Sequence, residues 1–296
     1  MPSGGRPRAH TVALALLIVA AFGGGCASGG SGAPAGPGLG RDNIPFTLSK
    51  PDGPGPFPAV VIMHDCSGLG PASSGAPGRW ADELRRQGYV VLIPDSFSTR
   101  GLPNGVCTDA SPHRSDASPA NRVYDAYAAL AHLRTLPFVD GRHVGLIGGS
   151  HGGSTTLASM LAPSSDGEAL AAERRNGFAA AVALYPGCRP SPRTWQAPVY
   201  RTVAPLLILA GDKDDWTPAE PCVKVAADAK AAGNPVEIKV YPGAHHAFDS
   251  NRPVRYVATR INGNAPGGLG ATTGGDPTAW ADSIRQVTAF FARYLK

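Results

Sequence analysis

Six short apolar runs, each ending in polar or small residues, constrain the fold of this chain more than any other feature. They occupy residues 60–65 (VVIMHD), 89–95 (YVVLIPD), 144–150 (VGLIGGS), 180–187, 206–214 and 236–243. A strand apolar at nearly every position, rather than every second one, is covered on both faces, and that is the condition of a parallel sheet. Between the runs lie segments with one apolar face. Trp80, Leu84 and Gln87 share such a face, which Gly88 closes as a C-terminal stop. Val123, Tyr127, Leu130 and Leu133 line a second, and Trp280, Ile284, Val287, Phe291 and Tyr294 line the last. The alternation predicts one α/β domain with a mostly parallel central sheet and helices on both faces. Residues 44–50 read as a short edge strand. Residues 96–119 and 250–277 read as long loops rich in Pro, Gly, Ser and Asn, of a length that usually shapes a site.

The N-terminus carries a different signal. Arg6, Arg8 and His10 precede the apolar run TVALALLIVAAF at 11–22. A basic flank and about a dozen apolar residues make a signal peptide, too short to span a bilayer comfortably. Small residues then precede Cys26, as at a bacterial lipobox, where the cysteine is lipidated and becomes the mature N-terminus. The expected organisation is a signal peptide over 1–25, a Gly/Ser/Pro-rich tether over 26–42 and a folded domain over 43–296. The protein is expected to be exported. It is either anchored through Cys26 as a periplasmic or cell-surface lipoprotein, or secreted.

Composition excludes several classes. Hydrophobic residues at 43% against charged residues at 17% are not those of a disordered chain. The net charge of +5 is scattered, with no basic stripe interleaved with aromatics, so no nucleic-acid partner is expected. Membrane contact is expected only through the lipid anchor. The five cysteines form no CxxC pair or zinc-ligand set.

Gly148-Gly149-Ser150-His151-Gly152 matches G-x-S-x-G, between an apolar run and STTLASML, which can form a helix. That context is what a nucleophile elbow requires. Ser150 would stand at the carboxyl end of the sheet on a helix N-terminus, whose partial positive charge favours a developing alkoxide. Acidic residues Asp212, Asp214 and Asp215 follow a later run, and His245 and His246 follow the last. The chain order Ser, Asp, His is that of α/β-hydrolases. An imidazole can take the serine proton near neutral pH, and a buried carboxylate holds that imidazole in the right tautomer. The acidic trio is a poor metal cluster, and adjacent histidines point apart. No metal or cofactor is expected. His10, His113, His132 and His143 are given no role.

These pieces together resemble the dienelactone hydrolase family, a branch of the α/β-hydrolase fold. The resemblance rests on HDCSG at 64–68, PDSF at 94–97, GGSHG at the elbow, GDKDDWTP at 211–218 and YPGAHHAF at 241–248. It covers roughly residues 43–296. It implies Asp214, between Gly211 and Pro218, as the acid and His246, followed by Ala and Phe, as the base. It also implies an oxyanion hole from the backbone N–H groups of Cys66 and His151. Alternate residues at a strand end face opposite ways, so Asp215 is expected to point away, whereas Asp212 could share the side of Asp214. The best-known members carry a cysteine nucleophile where Ser150 stands and a glutamate where Asp65 stands. Their substrate carboxylate is met by arginines. Arg100 and Arg252 lie near the corresponding loops without falling on matched positions.

The expectation is an exported serine hydrolase acting on a small-molecule ester or lactone through an acyl-enzyme. The alternatives are an inactive surface binding module, or a serine peptidase acting on short peptides. Export would put the remaining four cysteines in an oxidising compartment. Four cysteines allow three pairings. Loops on one sheet edge favour Cys66–Cys107 and Cys188–Cys222, and four reduced cysteines are the alternative.

Overall fold

The computed structural model describes residues 1–2, 38–40, 42–165, 167–190 and 199–296. The expected signal peptide, almost all of the tether and Cys26 lie outside the described residues. The central sheet contains seven strands. In chain order they are β1 (Phe46–Ser49), β2 (Phe57–Met63), β3 (Val90–Pro94), β4 (Val139–Gly149), β5 (Ala180–Leu184), β6 (Leu206–Gly211) and β7 (Val236–Tyr241). Their spatial order is β1-β3-β2-β4-β5-β6-β7, with β1 antiparallel to β3 and every other pairing parallel.

The continuous apolar runs have the explanation the sequence assigns them. Val60 and Ile62 of β2 face one helix layer, and Val61 and Met63 face the other. The first layer holds α1 (Ala76–Arg86) and α6 (Pro277–Leu295), packed through Trp80, Leu84, Val287 and Phe291. The second holds α2 (Arg122–Arg134), α3 (His151–Met160) and α5 (Ala219–Ala231), packed through Val123, Leu130, Leu157 and Ala226. The short helix α4 (Ala171–Arg175) precedes β5. Gly88 stops α1 at φ +91°, where a Cβ would be disfavoured. Asp276 starts α6, its carboxylate accepting from the Thr278 and Ala279 amides at 2.9 Å each, a cap worth about 1 kcal/mol.

Two elements differ from the sequence expectation. Residues 250–277 are not merely a loop, because they contain an antiparallel hairpin of β8 (Arg255–Ile261) and β9 (Leu269–Thr273). Its strands are mostly exposed or half-buried, so they lack the apolar continuity of the central strands. Cys222 is not in a loop but in the first turns of α5. That helix buries only Cys222, Ala226 and Ala229, and side chains so small leave a weak periodic signal.

The apolar runs also overshoot their strands. The polar residues that end them turn out of the sheet at its carboxyl edge, where the chemistry collects.

Candidate active site

Ser150 occupies the sharp turn from β4 into α3 at φ 54°, ψ −116°. A non-glycine residue there carries backbone strain of about 1–3 kcal/mol. The surrounding packing imposes it. A Cβ on Gly152 would lie 2.0 Å from the Met63 carbonyl, and one on Gly148 would lie 2.4 Å from the Gly152 carbonyl. Only glycine lets the two backbones approach so closely. The Ser150 amide is tied to the Leu184 carbonyl at 2.9 Å.

The three residues expected as a triad meet, although they lie on loops far apart in sequence. His246 Nε2 stands 2.8 Å from Ser150 Oγ, and Nδ1 stands 2.8 Å from Asp214 Oδ2. A carboxylate only accepts, so Nδ1 carries the proton and Nε2 is left to accept from the serine hydroxyl. Ser150, Asp214 and His246 are 7%, 4% and 2% exposed, so the charge relations between them act with little screening by water.

Asp214 is held from several sides. Its Oδ1 accepts from the Trp216 and Thr217 amides at 2.9 and 2.8 Å, and its Oδ2 lies 2.9 Å from Thr217 Oγ1. Thr217 Oγ1 also lies 2.9 Å from His246 Nδ1 and 3.0 Å from the Tyr185 carbonyl. The neighbouring acids are elsewhere. Asp215 points away as expected, accepting from the Thr272 amide and hydroxyl at 2.8 Å each. Asp212 accepts from the Gly243 amide at 2.6 Å, and the acid bonded to His246 is Asp214. The His246 ring lies between Tyr185 and Trp216, with centroids 4.8 and 4.7 Å away. Its backbone carbonyl accepts from the Gly274 amide at 2.9 Å, just beyond β9.

Cys66 follows β2 and lines the same cleft as Ser150, and His151, the next residue after Ser150, opens α3. No acceptor among the described residues takes either backbone N–H. Both expected disulfides are formed, each with a Cα separation of 4.9 Å. Cys66–Cys107 ties the loop after β2 to the loop after β3, and Cys188–Cys222 ties the loop after β5 to α5. Each cross-link is of a kind worth about 2–4 kcal/mol.

The cleft over Ser150 is lined by Asp65, Ser74, Tyr185 and Trp216 and by three arginines, Arg252, Arg255 and Arg260. Arg252 is therefore at the site. Arg100 is not, since it is paired with Asp125 and Asp42. Asp65 accepts from the Ser67 amide at 2.7 Å and from the Ser67 and Ser74 hydroxyls. A larger cavity of about 990 Å³ beside Arg100, Tyr124 and Leu170 contains no triad residue. Among the described residues, no three His, Cys, Asp or Glu side chains converge as metal ligands.

The sequence model of the dienelactone hydrolase family matches residues 44–295. The chain belongs to the dienelactone hydrolase family. A Yersinia pestis relative named "Putative carboxymethylenebutenolidase" is 29% identical over 73% of this chain and 78% of its own. A Bradyrhizobium relative named "Probable 2-oxo-3-(5-oxofuran-2-ylidene)propanoate lactonase" is 25% identical over 70% of this chain and 82% of its own. Among solved structures, Thermogutta terrifontis esterase 2 phosphorylated by paraoxon superposes with a TM-score of 0.62 at 19% identity, over 89% of this chain and 94% of that one. That likeness is one of fold. Family membership and the assembled triad make this a serine-dependent ester or lactone hydrolase.

Sequence reasoning missed Thr217, Arg255 and Arg260. Thr217 stands three residues after Asp214 in the same loop, the one local hint available. The arginines line the cleft from β8, a strand the sequence did not foretell.

Proposed function

We propose that this protein is an exported hydrolase of negatively charged esters or lactones. The observation that carries the charge preference is the trio Arg252, Arg255 and Arg260 around a cleft whose opposing acid is Asp65. Arg252 is anchored through the Ser73 carbonyl at 2.7 Å. Arg260 stacks on Trp216, 5.3 Å from the ring centroid, and its Nε has no partner among the described residues. A planar guanidinium with free donors suits a carboxylate. The Bradyrhizobium relative's name describes an anionic lactone, which is consistent with this reading.

His246 Nε2 takes the Ser150 hydroxyl proton as Oγ attacks the carbonyl carbon, giving a tetrahedral oxyanion. The Cys66 and His151 N–H groups hold that oxyanion, and one such donor is typically worth about 3 kcal/mol. The imidazolium then protonates the departing alkoxide. In a lactone that alkoxide remains attached to the acyl chain. Water, deprotonated by His246, attacks the acyl-enzyme and releases the carboxylic acid.

Export is supported by the apolar run at 11–22 and by two disulfides, bonds that persist in oxidising compartments. The GGGC junction supports lipidation of Cys26, and mass spectrometry of the mature N-terminus tests it. For the activity, a fluorophosphonate probe should add one mass equivalent to the wild type and none to Ser150→Ala. Matched esters with and without a carboxylate should be turned over at rates favouring the anion. Equal kcat/KM for both would reject the charge preference.

A further inference from the structure

One buried cation has no place in the triad or the cleft. Arg122, at the start of α2, is 0% exposed. Among the described residues no carboxylate lies within 4 Å of it, whereas the nearby Arg100 takes both oxygens of Asp125 at 2.7 and 2.8 Å. An unpaired buried charge is costly, so its contacts need a reason. The guanidinium donates Nη2–H to the His64 carbonyl at 2.9 Å and Nη1–H to His151 Nδ1 at 2.8 Å. Its carbon stands 4.9 Å from the centroid of Phe97, whose ring also packs edge-on against His64 and His151. Nε finds no partner among the described residues.

His64 stands two residues before Cys66, and His151 follows Ser150. The two groups Arg122 holds thus belong to the two segments that carry the oxyanion N–H groups. We propose that Arg122 is a positioning residue for the oxyanion hole, clamping the loop after β2 to the start of α3 and adding positive charge behind the developing oxyanion. The inference rests on the serine-hydrolase mechanism above.

The hydrogen bonding fixes more than distance. A guanidinium only donates, so His151 Nδ1 must accept and the proton sits on Nε2. Burial and the Arg122 charge hold His151 well below the usual histidine range, so the ring stays neutral and the clamp keeps one geometry. Burial in turn lowers Arg122 itself to about 10, which still leaves it cationic at neutral pH. Lysine would keep the charge and lose the fork that reaches both acceptors.

The test uses the full-length enzyme with Arg122→Lys and Arg122→Met, an ester and a boronic-acid transition-state analogue. Losing one oxyanion donor typically costs 10²–10³ in kcat, and displacing rather than deleting the donors should cost about 30-fold. The expected result is that loss in kcat, KM within about twofold, and analogue affinity falling in parallel with kcat/KM. Arg122→Lys should fall between wild type and Arg122→Met. A folded Arg122→Met with unchanged kcat overturns the inference, as does a loss confined to KM. If neither variant folds, the imidazole ¹⁵N shifts of His151 in the wild type decide. The Nε2–H tautomer supports the clamp, and Nδ1–H overturns it. Separately, a wild type that turns over no ester and takes no fluorophosphonate removes the mechanism, and this inference with it.

Discussion

Gly152→Ala should damage catalysis far more than stability, and the size of the effect can be worked from the elbow. The added methyl would sit 2.0 Å from the Met63 carbonyl oxygen and 2.7 Å from that of His64. An unstrained carbon–oxygen contact needs about 3.2 Å or more, so α3 and the end of β2 must separate by about 1 Å; a misplacement of that size costs about 100-fold in rate. Both segments proposed to hold the oxyanion border this contact, so the loss should appear in kcat. Overpacking of this kind costs about 1–3 kcal/mol of stability, and a protein of this length loses about 2–4 °C in Tm per kcal/mol. The control is Gly78→Ala on the exposed side of α1, where a Cβ meets nothing within 4 Å. Replacing a helical glycine there should raise stability by about 0.5–1 kcal/mol and leave activity alone. Steady-state kinetics on a chromogenic ester and calorimetry read both variants. Gly152→Ala with kcat within threefold of wild type would refute the claim that backbone approach at this glycine sets the site.

Asp214→Asn should keep the fold and lower kcat by about 10⁴, because the amide can leave the proton on the wrong ring nitrogen of His246; ester kinetics with a Tm control checks this, and a loss under tenfold would contradict it. Arg260→Ala should raise KM for a carboxylate-bearing ester about tenfold while leaving its uncharged counterpart unchanged, which is about 1.4 kcal/mol of lost attraction; parallel loss on both esters would count against the charge reading. The Asp249 carboxyl, 1% exposed and bonded by Tyr185 Oη and Trp80 Nε1 at 2.6 and 2.8 Å, is raised above 3.8 by burial. The folded state therefore holds that proton more tightly than the unfolded chain. The stability of wild type relative to Asp249→Asn should fall as pH rises above 3.8 and level off above the raised folded value. Urea titrations across pH 3.5–7 measure it, and a difference that rises with pH would be the wrong sign.

What the sequence disclosed follows from how each feature is encoded. The central strands are legible because burial on both faces leaves a local mark, an unbroken apolar run. The elbow is legible because close backbone approach demands glycines at fixed spacing around Ser150. Asp214 and His246 are picked out by loop motifs that resemble those of the family, and the Cys66–Cys107 pairing follows from two loops on one sheet edge, whereas Cys188 finds Cys222 in α5 rather than in a loop. The hairpin β8–β9 left no such mark, since its strands are largely exposed and carry Arg255 and Arg260. Helix α5 hid for the opposite reason, its buried side being small. Arg122 reads in sequence as an ordinary helical arginine. Its meaning comes from His64 and His151, which lie 58 and 29 residues away and approach only once the sheet is built.

The strand β9 has a consequence for when this enzyme can become active during synthesis. Asp215, beside the catalytic acid, is fastened to Thr272, and the His246 segment bridges to Thr273. Both partners lie on a segment made after all three triad residues. A growing chain can thus contain Ser150, Asp214 and His246 and still be unable to align them. Hydrolysis is therefore expected to begin only after β9 has been made and has paired with these two loops.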